Sequence, residues 1–341
     1  MRRRRSEGPA TTVNMSDVAA RAGVSAQTVS RALGKPELVS EETRRKIHET
    51  IRELGYIPNE AARNLASSRT RTVAVVIPTL ASSAYSAQVG EIIKTFEHRG
   101  ISVVIGNTEY SLQREEQIVR SLLERRPLAF ILTGLHHSGG TRQMLRAAGI
   151  PVIETWDLDG EPIDRAVGFS NIEAGKEVGR LLARRGVKLA AFVGGNAVQD
   201  PRATSRYKGM AQAMTEAGLP MPLRVEMDLP MTTAEGIVGL DNVLSEQPMT
   251  EAILFSADFL AIGALLECNR RGIRIPEQLA ICGFGDYELA PLVTPALTTV
   301  KIYPDLIGKH AAETILRELD GEGPSERKHD IGHRLIRRGS A

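Results

Sequence analysis

The stretch 15–34 constrains the fold of this chain more than any other, because it encodes two short helices separated by one tight turn. Ser16 is suited to N-cap the first helix, and Asp17 would lie at its positive end. Gly23 offers the left-handed conformation that ends a helix, and Ser25 is the N-cap of a second helix. On each helix an apolar pair has i, i+4 spacing: Val18 and Ala22, then Val29 and Leu33. The pattern predicts a helix-turn-helix.

The second of these helices is polar outside its apolar stripe. Gln27, Thr28, Ser30 and Arg31 are residue types that read base edges and phosphates in a major groove. An ordinary surface helical hairpin is the alternative that this pattern alone leaves open. The residues of the first three helices that we expect to contact DNA are Ser16, Ser25, Ala26, Gln27, Thr28, Ser30, Arg31 and Tyr56.

A third helix should complete a small headpiece over residues 15–57. Pro36 breaks the chain, Ser40 caps a helix that runs to Leu54, and Gly55 ends it. The expected core is Val18, Ala22, Val24, Val29, Leu33, Val39, Ile47, Ile51 and Leu54.

Residues 58–71 read as a linker that begins with a very short hinge helix. A helix of two turns does not hold together in isolation, so a partner copy and DNA are expected to support it. Leu65 has no evident core to enter, and in a minor groove it would act as a wedge between base steps. The alternative is that Leu65 packs on the following domain. The DNA contacts expected here are Asn59, Arg63, Leu65 and Ala66.

Charge is unevenly placed along the 341 residues. Residues 1–71 hold 14 Lys/Arg against 8 Asp/Glu, whereas the remainder holds 29 against 33. A basic end on a mildly acidic body indicates a polyanion partner at that end only. Residues 1–14 are expected to be a disordered basic tail, which either attracts phosphates or is merely solvated.

Other classes of protein are disfavoured. Two cysteines give no disulfide framework, no apolar segment follows Arg2–Arg5, and no run is long enough to span a membrane, so a cytoplasmic protein is expected. The histidines are scattered, and the adjacent pair His136-His137 is expected in a solvated loop. Gly194-Gly195 lacks the spacing of a phosphate loop. We therefore expect no enzyme activity, no cofactor and no metal.

From residue 72 onward, short apolar strands alternate with helices in units of about 30 residues, the pattern of right-handed βαβ crossovers. Two such sets predict a two-lobed, doubly wound α/β core over 72–341. The first lobe is expected to hold about 72–170 and 301–322. The second is expected to hold about 171–298 and 328–341. The fold class is thus a helical headpiece followed by α/β lobes.

Polar and aromatic residues follow the predicted strands, where ligands of such sheets bind. Trp156 is expected to stack on a sugar face or else to be an ordinary core residue. Arg202 and Arg206 stand four apart at a helix start and would clamp a carboxylate, although each is singly also typical of a surface. Asp258 is expected to N-cap a helix first and to contact ligand second. The predicted effector site is Tyr85, Trp156, Arg202, Arg206, Asp258 and Asp286.

The motifs together resemble LacI-family repressors over nearly the whole chain. The headpiece and hinge motifs are Asp17-Val18-Ala19, Gly23-Val24-Ser25, Thr28-Val29-Ser30-Arg31, Leu54-Gly55-Tyr56-Ile57-Pro58-Asn59 and Ala62-Arg63-Asn64-Leu65-Ala66. Toward the C-terminus, 282–286 and 294–300 are similar to family landmarks. The resemblance implies a homodimer or tetramer on a pseudo-palindromic operator. It also implies a core like periplasmic sugar-binding proteins, with an effector between its lobes.

Within the family, the segments 152–154, 166–171 and 255–258 look most like gluconate-utilisation repressors. Many sugar- and purine-responsive relatives carry an acidic residue where this chain has Gly285. The loss of that carboxylate suits an anionic effector. The resemblance thus implies a repressor of sugar-acid catabolism genes that responds to gluconate. The alternatives are a related regulator that responds to 2-ketogluconate or a neutral sugar, and a sugar-binding transport protein.

Overall fold

A computed structural model describes residues 13–56, 70–229, 231–322 and 326–341. The chain divides into two compact units, Met1–Ser68 and Arg69–Ala341. We call the first the headpiece and the second the core. Within the described ranges, no helix is both long and apolar enough to cross a bilayer.

The headpiece contains the three predicted helices, which are α1 (Met15–Ala22), α2 (Ala26–Gly34) and α3 (Glu41–Leu54). Gly23 ends α1 in the left-handed conformation at φ 68°. Ser25 and Ser40 cap α2 and α3 by accepting hydrogen bonds from the backbone N–H groups three residues on. All of the predicted core residues pack together, and Ala19, Ala32 and Tyr56 join them.

The prediction that Ser16 caps α1 is wrong. Asn14 is the cap, and its side-chain oxygen accepts from the backbone N–H of Ser16 (2.8 Å) and of Asp17 (3.2 Å). The Asp17 carboxylate in turn accepts from the backbone N–H of Asn14 at 2.8 Å. This reciprocal capping box satisfies two helix-end groups together, which a serine two residues later does not do.

The first lobe is built on a parallel sheet with the strand order β11-β5-β4-β3-β1-β2. The strands are β1 (Thr72–Ile77), β2 (Ser102–Asn107), β3 (Ala129–Thr133), β4 (Val152–Thr155), β5 (Arg165–Gly168) and β11 (Lys328–Asp330). The helices α4 (Ser83–Glu97), α5 (Leu112–Glu124), α6 (Gly139–Ala148) and α11 (Pro304–Leu319) cover its faces.

The second lobe repeats the plan with the strand order β12-β10-β9-β8-β6-β7, and only β12 runs antiparallel to its neighbour. The strands are β6 (Ala190–Gly195), β7 (Leu223–Met227), β8 (Ala252–Phe255), β9 (Ala280–Gly285), β10 (Thr298–Lys301) and β12 (Arg334–Ile336). Its helices are α7 (Asn171–Arg184), α8 (Pro201–Glu216), α9 (Thr233–Glu246) and α10 (Asp258–Arg271).

The predicted fold class is confirmed: a helix-turn-helix unit precedes a two-lobed, doubly wound core. One lobe assignment is wrong. Residues 328–330 were placed in the second lobe, but they form β11, which pairs with β5 of the first sheet. The chain returns to the second lobe only at β12. These two short segments carry no apolar run, so the sequence pattern did not separate them.

The expectation that His136-His137 lies in a solvated loop is wrong for His137, which is buried. Its Nδ1 lies 2.8 Å from Glu115 Oε1, and its Nε2 lies 3.1 Å from Glu154 Oε1. Burial lowers the pKa of His137, but the two carboxylates outweigh burial and raise the pKa to about 9. The histidine is therefore a structural cation inside the first lobe.

Helices α7 and α8 pack backbone against backbone, and this contact sets the distance between the two helices of the second lobe. A Cβ at Gly175 of α7 would overlap the carbonyl oxygen of Arg206 in α8. Reciprocally, a Cβ at Gly209 of α8 would overlap the carbonyl oxygen of Ile172 in α7. The glycines thus fix how deeply α8 sits, and with it the position of Arg206.

This contact predicts opposite effects for two Gly→Ala variants. Gly175→Ala forces α7 and α8 apart and should lower the free energy of unfolding by about 1–3 kcal/mol. Gly90→Ala in the exposed face of α4 is the matched control, since a Cβ there meets nothing within 4 Å. It should stabilise the protein by up to about 1 kcal/mol. Urea unfolding followed by circular dichroism measures both, and equal effects would contradict the packing argument.

Candidate functional site: a polar helix surface and an interlobe cleft

The polar side of α2 forms the candidate DNA-reading surface. Ser25, Ala26, Gln27, Ser30 and Arg31 are exposed, and Thr28 is half-buried. The Ser25 hydroxyl accepts from the Thr28 backbone N–H at 3.1 Å and lies 2.9 Å from the Thr28 hydroxyl. Gln27, Ser30 and Arg31 are therefore the side chains best placed to reach a nucleic acid.

The remaining predicted DNA contacts divide into three groups. Ser16 is exposed near the start of α1. Tyr56 is only 7% exposed and packs in the headpiece core, so the structure places it among core residues rather than on the surface. The third group lies outside the described residues: Asn59, Arg63, Leu65 and Ala66.

The core contains a cavity of about 620 Å³ at the carboxyl ends of strands from both sheets. This is where a doubly wound fold binds ligands. Of the six predicted effector residues, Tyr85, Trp156, Arg202 and Arg206 line the cavity. Residues that were not predicted from the sequence also line it, among them Tyr110, Phe169, Asn171, Phe259, Phe284 and Tyr287.

Aromatic side chains of the first lobe make one wall of the cavity. Tyr85 and Trp156 pack edge to face, with ring centroids 5.0 Å apart. The indole N–H of Trp156 donates to Gln88 Oε1 at 2.7 Å, and the Gln88 amide donates to the Thr155 hydroxyl at 3.1 Å. Because Gln88 is fully buried, these bonds hold the Trp156 ring in one orientation.

Arg206 reaches the cavity from the first turns of α8. Its Nη1 donates to Asn171 Oδ1 at 2.7 Å, its Nη2 lies 3.8 Å from Asp200 Oδ2, and its guanidinium carbon lies 4.4 Å from the Phe284 ring centroid. Burial lowers the pKa of Arg206, and Asp200 opposes that effect. Among the described residues, the buried Nε of Arg206 has no hydrogen-bond partner.

Arg202 lies one turn earlier on α8 and points across the cavity. Its Nη2 donates to the hydroxyl of Tyr85 in the first lobe at 2.7 Å. Burial lowers the pKa of Arg202, but Tyr85, Asp200 and Tyr110 outweigh burial and raise it. The two arginines therefore bond to different partners, whereas the sequence predicted that they bind one carboxylate together.

Asp258 and Asp286 do not line the cavity, so the structure does not support their prediction as ligand contacts. The Asp258 carboxylate is fully buried and accepts from the Thr299 hydroxyl at 2.5 Å and from the Tyr287 backbone N–H at 2.7 Å. Burial raises the pKa of Asp258 to about 6. Asp286 pairs instead with Arg338 at 2.7 Å.

Asp258 is also not an N-cap. The cap position of α10 belongs to Ala257, which has no side-chain cap, and Asp258 is the first helical residue. Its buried partners in other strands and loops, rather than its own helix end, occupy both oxygens.

Gly285 makes room for a tyrosine in the cavity wall. Its φ of 135° is one that other residues rarely adopt, and a Cβ there would overlap the ring of Tyr287. The family resemblance marks Gly285 only as a position where a carboxylate is missing. The structure adds that the ring of Tyr287 occupies the adjoining space, and burial raises the pKa of its phenol.

Across the described ranges, no group of three or more His, Cys, Asp or Glu side chains is arranged to hold a metal ion. Most of the described lining surface is apolar or aromatic, and its charged groups are the guanidinium groups of Arg202 and Arg206 and the carboxylate of Asp200. Such a lining suits a small, polar, anionic organic molecule.

Family models match the headpiece and the C-terminal part of the core. Residues 14–59 match the model of bacterial regulatory proteins of the lacI family, and residues 180–341 match a periplasmic binding protein-like domain. The HTH-type transcriptional regulator GntR of Pseudomonas aeruginosa is 36% identical over 327 residues, which cover 96% of this chain and 95% of that protein.

Two solved structures extend the similarity to the fold. A LacI-family transcriptional regulator from Silicibacter pomeroyi has a TM-score of 0.90 at 33% identity and covers 96% of this chain and 99% of its own. The lac repressor dimer bound to operator and the anti-inducer ONPF has a TM-score of 0.83 at 26% identity, over 97% of this chain and 99% of its own. The chain therefore belongs to the LacI family of bacterial transcriptional regulators.

Proposed function

We propose that this protein is a repressor of sugar-acid catabolism genes, controlled by gluconate or a closely related sugar acid bound in the interlobe cavity. The observation that carries the proposal is the unpartnered Nε of Arg206, a buried donor on a cationic group that faces the cavity. The similarity to GntR regulators supports the same ligand class. The protein then acts on DNA in the cytoplasm, without catalysis.

The headpiece supplies the DNA contacts of this proposal. Gln27 and Arg31 read bases or phosphates from the exposed side of α2. Further contacts to the DNA phosphate backbone come from Ser16, Ser25, Ala26, Thr28 and Ser30. Tyr56 supports this surface from the core beneath it. The lac repressor, which has a similar fold, was solved as a dimer on its operator. A homodimer on a pseudo-palindromic operator follows by analogy, with a tetramer as the alternative.

The cavity supplies the effector contacts. Arg206 binds the carboxylate through its guanidinium group. Trp156 and Phe284 offer apolar surface to the carbon chain. Tyr287 offers its phenol to the ligand's hydroxyl groups, and Asn171 orients Arg206 through their bond of 2.7 Å.

The effector acts by favouring one degree of lobe closure over another. A ligand shifts such an equilibrium only by its difference in affinity for the two states. We propose that lobe closure is coupled to operator binding through the segment 58–71. Asn59, Arg63, Leu65 and Ala66 are proposed to contact DNA there, with Leu65 as a minor-groove wedge.

The DNA-reading role of α2 predicts a change in base preference. Gln27→Ala should relax the preference at one position of each half-site by about 1–3 kcal/mol, because a side-chain amide bound to a base edge is lost. Selection of operator variants from a random library measures the preference at every position. An unchanged preference at all of them would show that Gln27 does not read bases.

The anionic effector predicts a charge-dependent affinity. Calorimetric titration should find gluconate or 2-ketogluconate bound at least about tenfold more tightly than glucose, since a charge-assisted hydrogen bond contributes roughly 1.5–3 kcal/mol. Arg206→Met should remove this preference, and Arg206→Lys should keep part of it.

Arg224→Met is the matched control, because Arg224 belongs to the same lobe but bonds Thr204 at 2.8 Å and does not line the cavity. It should leave the preference unchanged. Effector-free operator binding checks that each variant is folded. Glucose bound as tightly as every sugar acid would overturn the proposed ligand class.

A further inference from the structure

The two arginines of the cavity differ in which lobe they contact. Arg206 bonds Asn171 and lies near Asp200, and both partners stand at helix starts of the second lobe. The Arg202 side chain instead extends from α8 of the second lobe and donates to the hydroxyl of Tyr85 on α4 of the first lobe at 2.7 Å. We propose that Arg202 and Tyr85 form an interlobe latch, so that Arg202 sets the degree of closure and does not hold the effector's carboxylate.

The Tyr85 hydroxyl is the hydrogen-bond acceptor in this contact, and its side chain is held in place by neighbouring residues. It is only 7% exposed, and its ring packs edge to face on Trp156, with centroids 5.0 Å apart. Trp156 is itself fixed by the buried Gln88 through a bond of 2.7 Å. The Tyr85 hydroxyl therefore has a defined position on the first lobe, and a change in closure must break or remake its bond to Arg202.

Arg202 has a second contact with Tyr85 in this position, since its guanidinium carbon lies 5.9 Å from the Tyr85 ring centroid. Tyr110, also from the first lobe, lines the same cavity. Burial raises the pKa of Tyr110, so its phenol is neutral, and the pKa of Arg202 is raised, so the guanidinium keeps its charge.

The latch contributes to closure whether or not an effector is bound, because both partners belong to this chain. A charge-assisted hydrogen bond shifts a two-state ratio by about tenfold or more. Loss of the bond therefore moves the population toward the open state. Affinity for any cavity ligand that prefers the closed state then falls by no more than the same factor.

The test measures closure in the effector-free full-length protein. Both native cysteines, Cys268 and Cys282, are buried, so spin labels can be placed at Glu124→Cys on α5 and Glu216→Cys on α8. Labelled chain is mixed with excess unlabelled chain, and pulsed electron paramagnetic resonance gives the interlobe distance distribution. The variants are Tyr85→Phe, Arg202→Met and the double variant.

The matched control is Tyr207→Phe, whose hydroxyl bonds the Pro222 carbonyl at 3.1 Å within the second lobe. Each latch variant should lower the closed-to-open ratio by about tenfold, the double variant should do no more than either single one, and the control should match the wild type. Wild-type distances in both single variants, or a change in Arg202→Met alone, would overturn the latch.

A second readout separates a latch from a carboxylate ligand. Loss of the latch should weaken gluconate and glucose binding by the same factor and keep the preference between them. If Arg202→Met instead abolishes the preference for gluconate, then Arg202 holds the carboxylate and the latch is wrong. The distance measurement needs no effector, so its result stands even if the sugar-acid proposal fails.

Discussion

The contact between the backbones of α7 and α8 is the constraint on which the effector site depends. Gly175 and Gly209 let each helix reach the carbonyl groups of the other, so the start of α8 has little freedom to slide. Asn171 begins α7 and Arg206 follows the first turn of α8, and their 2.7 Å bond is a consequence of that fit. A similar contact occurs in the first lobe, where a Cβ at Gly308 would overlap the carbonyl oxygen of Gln88, the residue that orients Trp156.

The charge of the cavity depends on where the nearby carboxylates lie. The carboxylate of Asp258 accepts from Thr299 and from the Tyr287 backbone N–H, and Asp286 pairs with Arg338, so neither lines the cavity. Asp200 does line the cavity, but it caps α8 through the Ala203 N–H at 3.0 Å and lies 3.8 Å from Arg206. Among the described lining residues, two guanidinium groups therefore stand against one carboxylate, and this balance favours an anionic ligand.

The sequence predicted the features that depend on local chemistry. Helix caps at Ser25 and Ser40, the left-handed Gly23 and short apolar strands such as β1 and β8 were confirmed. Side chains that follow the strands, such as Trp156 and Arg206, were correctly expected in the cleft. What it missed depends on distant partners. Asp258 and His137 looked like a cap and a surface residue because their buried partners lie far away in sequence. The strands β5, β7, β11 and β12 were not predicted, because each has only three to five residues and at least one of them is charged.

If a ligand between the lobes controls how the headpiece binds DNA, then gluconate must change operator affinity. That affinity is measured for the full-length protein on the promoter DNA adjoining its gene, at constant salt, with and without saturating gluconate. We expect a change of roughly fivefold to a hundredfold, and by linkage DNA must change gluconate affinity by the same factor. An operator affinity that stays the same while calorimetry shows gluconate bound would contradict it.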